Sequence, residues 1–237
     1  MTDVNSQTAQ TAPITWRPDV FGVPVLERSS PFSYTCHACN RCCKNYLIKT
    51  SPYEVLQMAR HLGVSTTEFI AQYLVDGAFL SHQDDGRCAF SGDQGCTVHP
   101  ARPLVCRIYP LGLHRHASGT ERISHLAPHP QSDGHYGLKG TVDDYLRQQG
   151  TAPYEAAADR YQEVLTHLLA VFRQQGEAAL KLRVDLLDAD LMIGTYFPHA
   201  PSAERADPGQ AMHLHIAAIE QWISTQANDV AAPEDLP

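Results

Sequence analysis

All seven cysteines of this 237-residue chain fall between Cys36 and Cys106, and four of them sit in the eight-residue string CHACNRCC, residues 36–43. The other three follow as Cys88-x7-Cys96-x9-Cys106. Three fates compete for such a set. Disulfides fit poorly: the count is odd, and the polar start MTDVNSQTAQTAPITW has neither the basic nor the apolar region of a secretory leader. Buried structural thiols are common, but core cysteines do not fall in a CxxCxxCC string. Metal ligation remains, because thiolates two residues apart can converge on one ion or cluster.

The spacing leaves the metal open. Cys36-x2-Cys39-x2-Cys42 reproduces the three-cysteine spacing of bacterial ferredoxins, although no Cys-Pro follows. A single zinc held by four thiolates is also compatible. Cys42 and Cys43 are adjacent, and neighbouring side chains point in different directions, so both are not expected on one mononuclear ion. Either one of them supports the site, or two sites share the region, or a multinuclear cluster uses both. The thiols outnumber the need of one zinc. The reading is therefore an iron–sulfur centre of the 4Fe-4S kind, with zinc as the alternative.

The surroundings fit an anionic thiolate site. The chain carries a net charge of −8, which argues against nucleic-acid binding. From Cys36 to Leu113, however, seven Lys/Arg stand against six Asp/Glu, so this half is near neutral. Arg102-Pro103 and Cys106-Arg107-x-Tyr109-Pro110 place cations and an aromatic beside a cysteine. An arginine there stabilises a thiolate or holds an anionic substrate group. Arg102, Arg107, His99 and Tyr109 are thus candidates for supporting or substrate contacts, and His37 for tuning from inside the string. Five of the thirteen histidines (His114, His116, His125, His129, His135) lie after Cys106. His213-x-His215 does not read as a chelating pair, since residues two apart on a helix face away from each other. No phosphate loop, HExxH or serine elbow is present, and no catalytic residue is assigned.

Along the chain, Ser51-Pro52-Tyr53-Glu54 is a capping box opening a helix that Gly63 ends. Ser65-Thr66-Thr67-Glu68 opens a second, to about Val75. Residues 80–113 read as turns and short hairpins, and 114–137 as irregular. Thr141 caps a short helix to about Gln149, and Thr151-Ala152-Pro153 opens a longer one with Ala157, Tyr161, Leu165, Leu168 and Phe172 on one face. Residues 177–193 read as helix. Pro208-Gly209 precedes a last helix with Met212, Ile216, Ile219 and Ile223 inward. The fold class expected is mostly α, an α-rich α+β fold with short strands. A flexible tail over 1–30, a cysteine-cluster domain over 31–137, a helical region over 138–226 and a disordered tail over 227–237 make up the chain. No run of apolar residues is long enough to span a membrane, and the expected compartment is the cytoplasm.

CHACNRCC, then Cys88-Ala-Phe, then Cys96-Thr-Val-His-Pro-Ala-Arg-Pro-Leu-Val-Cys106-Arg-Ile-Tyr-Pro110, resembles the YkgJ-type cysteine-cluster family, a zinc- or iron-chelating CxxCxxCC domain. The resemblance covers roughly residues 33–137. It implies that Cys36, Cys39, Cys42, Cys43, Cys88, Cys96 and Cys106 are ligands, and that Arg102, Pro103 and Pro110 belong to the motif. Relatives carry a further cysteine in a Cys-Pro-Gly-like segment; here Leu126-Ala-Pro-His129-Pro stands there, which makes His129 a candidate ligand. The family includes flagellin lysine N-methylases, so an S-adenosylmethionine-dependent protein-lysine methyltransferase with a protein substrate is one implied activity. A non-catalytic metal module or a metal or redox sensor is the other class.

Overall fold

The computed structural model describes residues 17–18, 24–37, 39–115, 120–126, 132–175 and 184–231. Helices dominate, with short antiparallel strands, which is the expected α-rich α+β class. Among the described residues no helix is long and apolar enough to cross a membrane.

The first half is built of small pieces. Strands β1 (Arg17–Pro18), β2 (Pro24–Leu26), β8 (Leu111–Arg115) and β9 (Glu121–His125) form an antiparallel sheet in the order β1-β2-β9-β8. Strand β3 (Pro31–Thr35) pairs with β10 (His135–Thr141), His135 lying opposite Thr35. Helices α1 (Pro52–Leu62) and α2 (Thr66–Tyr73) start at the two predicted capping boxes, both complete. Such a cap satisfies two amide donors and is worth about 1 kcal/mol. Gly63 ends α1 at φ 71°, a left-handed turn that side chains resist. Strands β4 (Leu74–Val75) and β5 (Phe79–Leu80) form one hairpin, and β6 (Ser91–Gly92) and β7 (Gly95–Cys96) another; helix α3 (Leu104–Ile108) follows.

The second half is helical: α4 (Val142–Gln148), capped by Thr141 as expected, then α5 (Ala152–Gln175), α6 (Ala189–Tyr196), α7 (Ser202–Ala206) and α8 (Pro208–Ala231). Ala157, Tyr161 and Leu168 of α5 and Met212, Ile216 and Ile219 of α8 are buried as the periodicity requires. They pack with Tyr53 and Leu56 of α1 and Met192 and Ile193 of α6 in one apolar cluster. Each such large side chain contributes roughly 1.5–3 kcal/mol on burial. A second cluster joins the sheet to α4 through Phe32, Ile108, Leu111, Ile123, Val142 and Leu146. A third lies between α1, α2 and the hairpins, where Phe69, Leu80, Phe90 and Val98 are buried and Cys88 and Cys96 rest against it.

Several local expectations are corrected. The expected N-terminal tail contributes β1 and β2, and Leu26 is buried. A two- or three-residue strand carries too little periodicity to be seen, and partners remote in sequence create it. The segment expected to be irregular holds β8, β9 and β10 in part, because its His, Pro and Gly content masks the pairing that β2 and β3 impose. Strand β10 runs across the expected domain boundary at 137–138. Helix α2 stops at Tyr73, since Leu74 and Val75 pair with β5. The expected helix over 177–193 is a 3-10 turn at Val184–Leu187 followed by α6, and residues 176–183 lie outside those described. Helix α8 continues to Ala231, past the expected start of the C-terminal tail.

The halves are joined by polar clasps. Arg28 bridges Glu121 and Glu155 at 2.7 Å each, and Arg115 reaches Asp159 at 2.7 Å. Arg60 of α1 makes a two-pronged contact with Asp190 of α6. That geometry suits a planar guanidinium and is stronger than a point contact.

A candidate metal centre in one thiol-lined cavity

The cysteine string leaves β3 at Thr35 and runs into a 3-10 turn over Arg41–Cys43. Asn40 begins the turn at φ 58°, a left-handed conformation that asparagine tolerates. Its side-chain amide donates to the carbonyl of Gly92 at 2.6 Å, docking the string on the β6–β7 hairpin. The amide of Cys88 donates to the carbonyl of Cys43 at 2.9 Å, and that of Asn45 to Gly86 at 2.9 Å. Gly86 sits at φ 83° with Asn45 Oδ1 where a Cβ would be, so only glycine allows this approach. Cys96 ends β7 directly opposite Ser91. Cys106 lies in α3, and the amide of Leu104 donates to Glu54 Oε1 at 2.7 Å. The other oxygen of Glu54 closes the capping box of α1 at Ser51. One carboxylate therefore fixes both a helix start and the approach of the last cysteine.

All seven cysteines line a single cavity of about 410 Å³. The predicted neighbours His37, His99, Arg102, Arg107 and Tyr109 line it as well. His129 lies outside the described residues. His37 instead meets His135, their rings edge to face with centroids 4.6 Å apart. Tyr34, Ser91, Tyr145 and Gln149 also line the cavity, and sequence reasoning missed them. Tyr34, Tyr145 and Gln149 belong to elements outside the cysteine motifs, and Ser91 gives no signal in a turn-rich stretch.

Electrostatics explain what the cavity wants. Burial pushes the thiols of Cys88, Cys96 and Cys106 up, and for Cys106 the nearby Cys88 and Cys96 add to the effect. Cys42 and Cys43 have their sulfurs 3.8 Å apart. Their mutual hydrogen bond lowers the Cys42 thiol to about 7 and raises that of Cys43, so the pair keeps a proton between them. Without a cation these thiols resist ionising together; a bound metal ion reverses the balance and deprotonates its ligands.

The arginines add the complementary charge. Arg102 donates to the carbonyl of His99 at 2.6 Å and to Gln149 Oε1 at 2.6 Å. Arg107 donates to the carbonyls of Arg102 at 3.0 Å and Gln149 at 2.9 Å and to the Tyr154 hydroxyl at 2.7 Å, and stacks over the Tyr154 ring at 4.3 Å. Both groups bond loop carbonyls and polar side chains, with no carboxylate partner among the described residues. They clasp the loops of the site to the turn before α5, and the charge of Arg102 acts on Cys96 and Cys106.

The donor set therefore fits an anionic thiolate–metal centre. Seven soft sulfurs suit zinc or iron, cations flank them, and Ser91, one of the lining residues, has a buried Oγ without a hydrogen-bond partner among the described residues. In this arrangement no three His, Cys, Asp or Glu side chains among the described residues stand at metal-binding geometry, so the thiols ring the cavity without converging on one point.

Residues 35–126 match the model of the CxxCxxCC family, described as "Putative zinc- or iron-chelating domain". The matched stretch, under half of the chain, is similar to that zinc- or iron-chelating domain and carries all seven cysteines. No curated protein and no solved structure gives a significant match to the chain.

Proposed function

We propose that the cavity holds an iron–sulfur cluster through thiolates drawn from Cys36, Cys39, Cys42, Cys43, Cys88, Cys96 and Cys106. One observation carries this reading: four separate stretches of chain bring all seven sulfurs to one cavity of about 410 Å³. A tetrahedral zinc with bonds of about 2.3 Å uses four thiolates and closes tightly round them. Seven thiols round a larger space suit a multinuclear centre. When bound, such a centre supplies electron transfer or a Lewis-acidic iron. The chain's own contribution is to hold the thiolates, offset their charge with Arg102 and Arg107, and keep the inner sulfurs dry.

The test is anaerobic purification with iron, acid-labile sulfide and zinc analysis and an absorption spectrum. Iron with sulfide and broad thiolate-to-iron absorption supports the cluster. Zinc alone, without sulfide, leaves a closed structural zinc module as the reading.

A second reading is a protein-modifying enzyme built on this centre. The cavity wall includes exposed apolar side chains, Tyr46, Val105 and Leu126, and Leu47 beside them is 75 % exposed. An apolar stretch of protein substrate would rest there. Its methyltransferase form also needs S-adenosylmethionine, and equilibrium dialysis of the loaded protein against that compound tests it. Absence of binding removes that form.

A further inference from the structure

Ser91 is only 6 % exposed, and its hydroxyl has no hydrogen-bond partner among the described residues. A buried hydroxyl left unpaired is costly and uncommon, and such groups find acceptors in native proteins. Every other polar group of Ser91 is in use. Its amide donates to the carbonyl of Cys88 at 2.9 Å, and its carbonyl accepts from Gln83 Nε2 at 2.9 Å. Gln83 also holds the carbonyl of Cys88 at 3.1 Å. In the hairpin Ser91 stands opposite Cys96. The residue is thus fixed between two of the cysteines, and it is among those that line the cavity.

We propose that Ser91 donates its hydroxyl hydrogen to a sulfur of the bound centre, either a ligating thiolate or a bridging sulfide. The inference rests on the thiolate–metal reading above. The missing acceptor and the anionic sulfur are complementary: a hydroxyl is a donor that can rotate, and sulfur bound to metal is an acceptor carrying negative charge. Ser91 is then a positioning and tuning residue. A hydrogen bond to sulfur withdraws electron density from the centre and favours its reduced state, which raises the reduction potential.

The experiment compares full-length wild type, Ser91→Ala and Ser91→Thr after anaerobic reconstitution. Ser91→Ala is expected to load the same iron and sulfide, to titrate at a lower potential, and to lose its iron faster to a chelator, several-fold. Ser91→Thr keeps the hydroxyl and should return the potential toward wild type. Metal-free Ser91→Ala should be at least as stable as metal-free wild type, since the change removes an unpaired polar group. In wild type alone, transfer to heavy water should shift the iron–sulfur stretching bands. Unchanged potential and chelator kinetics in Ser91→Ala, with bands indifferent to heavy water, would overturn the proposal. If wild type takes up no iron and sulfide, the cluster reading falls by itself. The Ser91 bond is then read in the cobalt-substituted thiolate site, where Ser91→Ala moves the sulfur-to-cobalt band to lower energy if the bond exists and leaves it in place if it does not. No thiolate–metal band of either kind in wild type ends both.

Discussion

His215 of α8 and Cys106 of α3 are both buried groups able to titrate, and the molecule treats them in opposite ways. His215 is fully enclosed; its Nδ1 meets the Tyr161 hydroxyl at 2.8 Å and its Nε2 the carbonyl of Leu186 at 2.9 Å. Burial lowers its pKa to about 4, so it is a neutral, fully partnered strut of the helical core. Cys106 is crowded by other thiols, and among the described residues the Ser91 hydroxyl has no hydrogen-bond partner and the two arginines that line the cavity have no carboxylate. The histidine's polar atoms are satisfied within the helical half. In the cysteine half the thiols crowd one another, and the Ser91 hydroxyl is unpaired among the described residues. Burial alone does not separate a structural group from a functional one; the state of its hydrogen bonds does.

The sharpest way to break this comparison is to remove one inner thiol. Cys106→Ser is expected to cut metal retention at least about tenfold, read by metal analysis after chelator challenge, while circular dichroism keeps the α5–α8 signal. Full metal retention would mean Cys106 is only a core thiol.

On the other side, His215→Ala should leave metal content untouched and destabilise the fold by about 2–5 kcal/mol in denaturant unfolding, because it opens a cavity and orphans two buried partners. Loss of metal in this variant would show that the halves are not separable in this way.

The same histidine carries a pH signature. Its folded pKa lies below the ordinary value near 6.5, so the unfolded chain takes up the proton first. The stability it contributes is complete above about pH 6.5 and falls as pH drops toward 4, by up to about 3 kcal/mol. The difference in unfolding free energy between wild type and His215→Leu, measured from pH 7 to 4, should shrink along that window. A constant difference would mean that His215 titrates in the fold as it does in the unfolded chain.

The smallest effect belongs to α4. Thr141→Ala removes a complete capping box and should cost about 1 kcal/mol. It also loosens α4, which leads into Gln149 at the cavity, so a slight gain in chelator-driven metal release is expected, smaller than that of Ser91→Ala.

Much of the site is legible in the order of residues alone. A CxxCxxCC string can hardly serve any end but metal, and the RPxxCRxYP segment marks the arginines and Tyr109. The helices with capping boxes and 3.6-residue stripes are legible too, since local chemistry sets both features. The short strands are not: β2 and β9 take their hydrogen bonds from each other and from β1 and β8, partners remote in sequence or set by pairing rather than by local pattern. Nor is the contact of His37 with His135, which β10 brings there by pairing with β3.

By itself, then, the sequence determined the donor set, the helix starts and the charge balance of the cysteine half, because residue type and spacing of a few positions decide those. Only the tertiary structure decided that all seven cysteines line one cavity, that Arg102 and Arg107 brace loops against Gln149 and Tyr154, and that the Ser91 hydroxyl is unpaired among the described residues. Those are relations between segments tens of residues apart, created by packing and backbone pairing, and no local pattern encodes which hydroxyl will end up buried and unpaired.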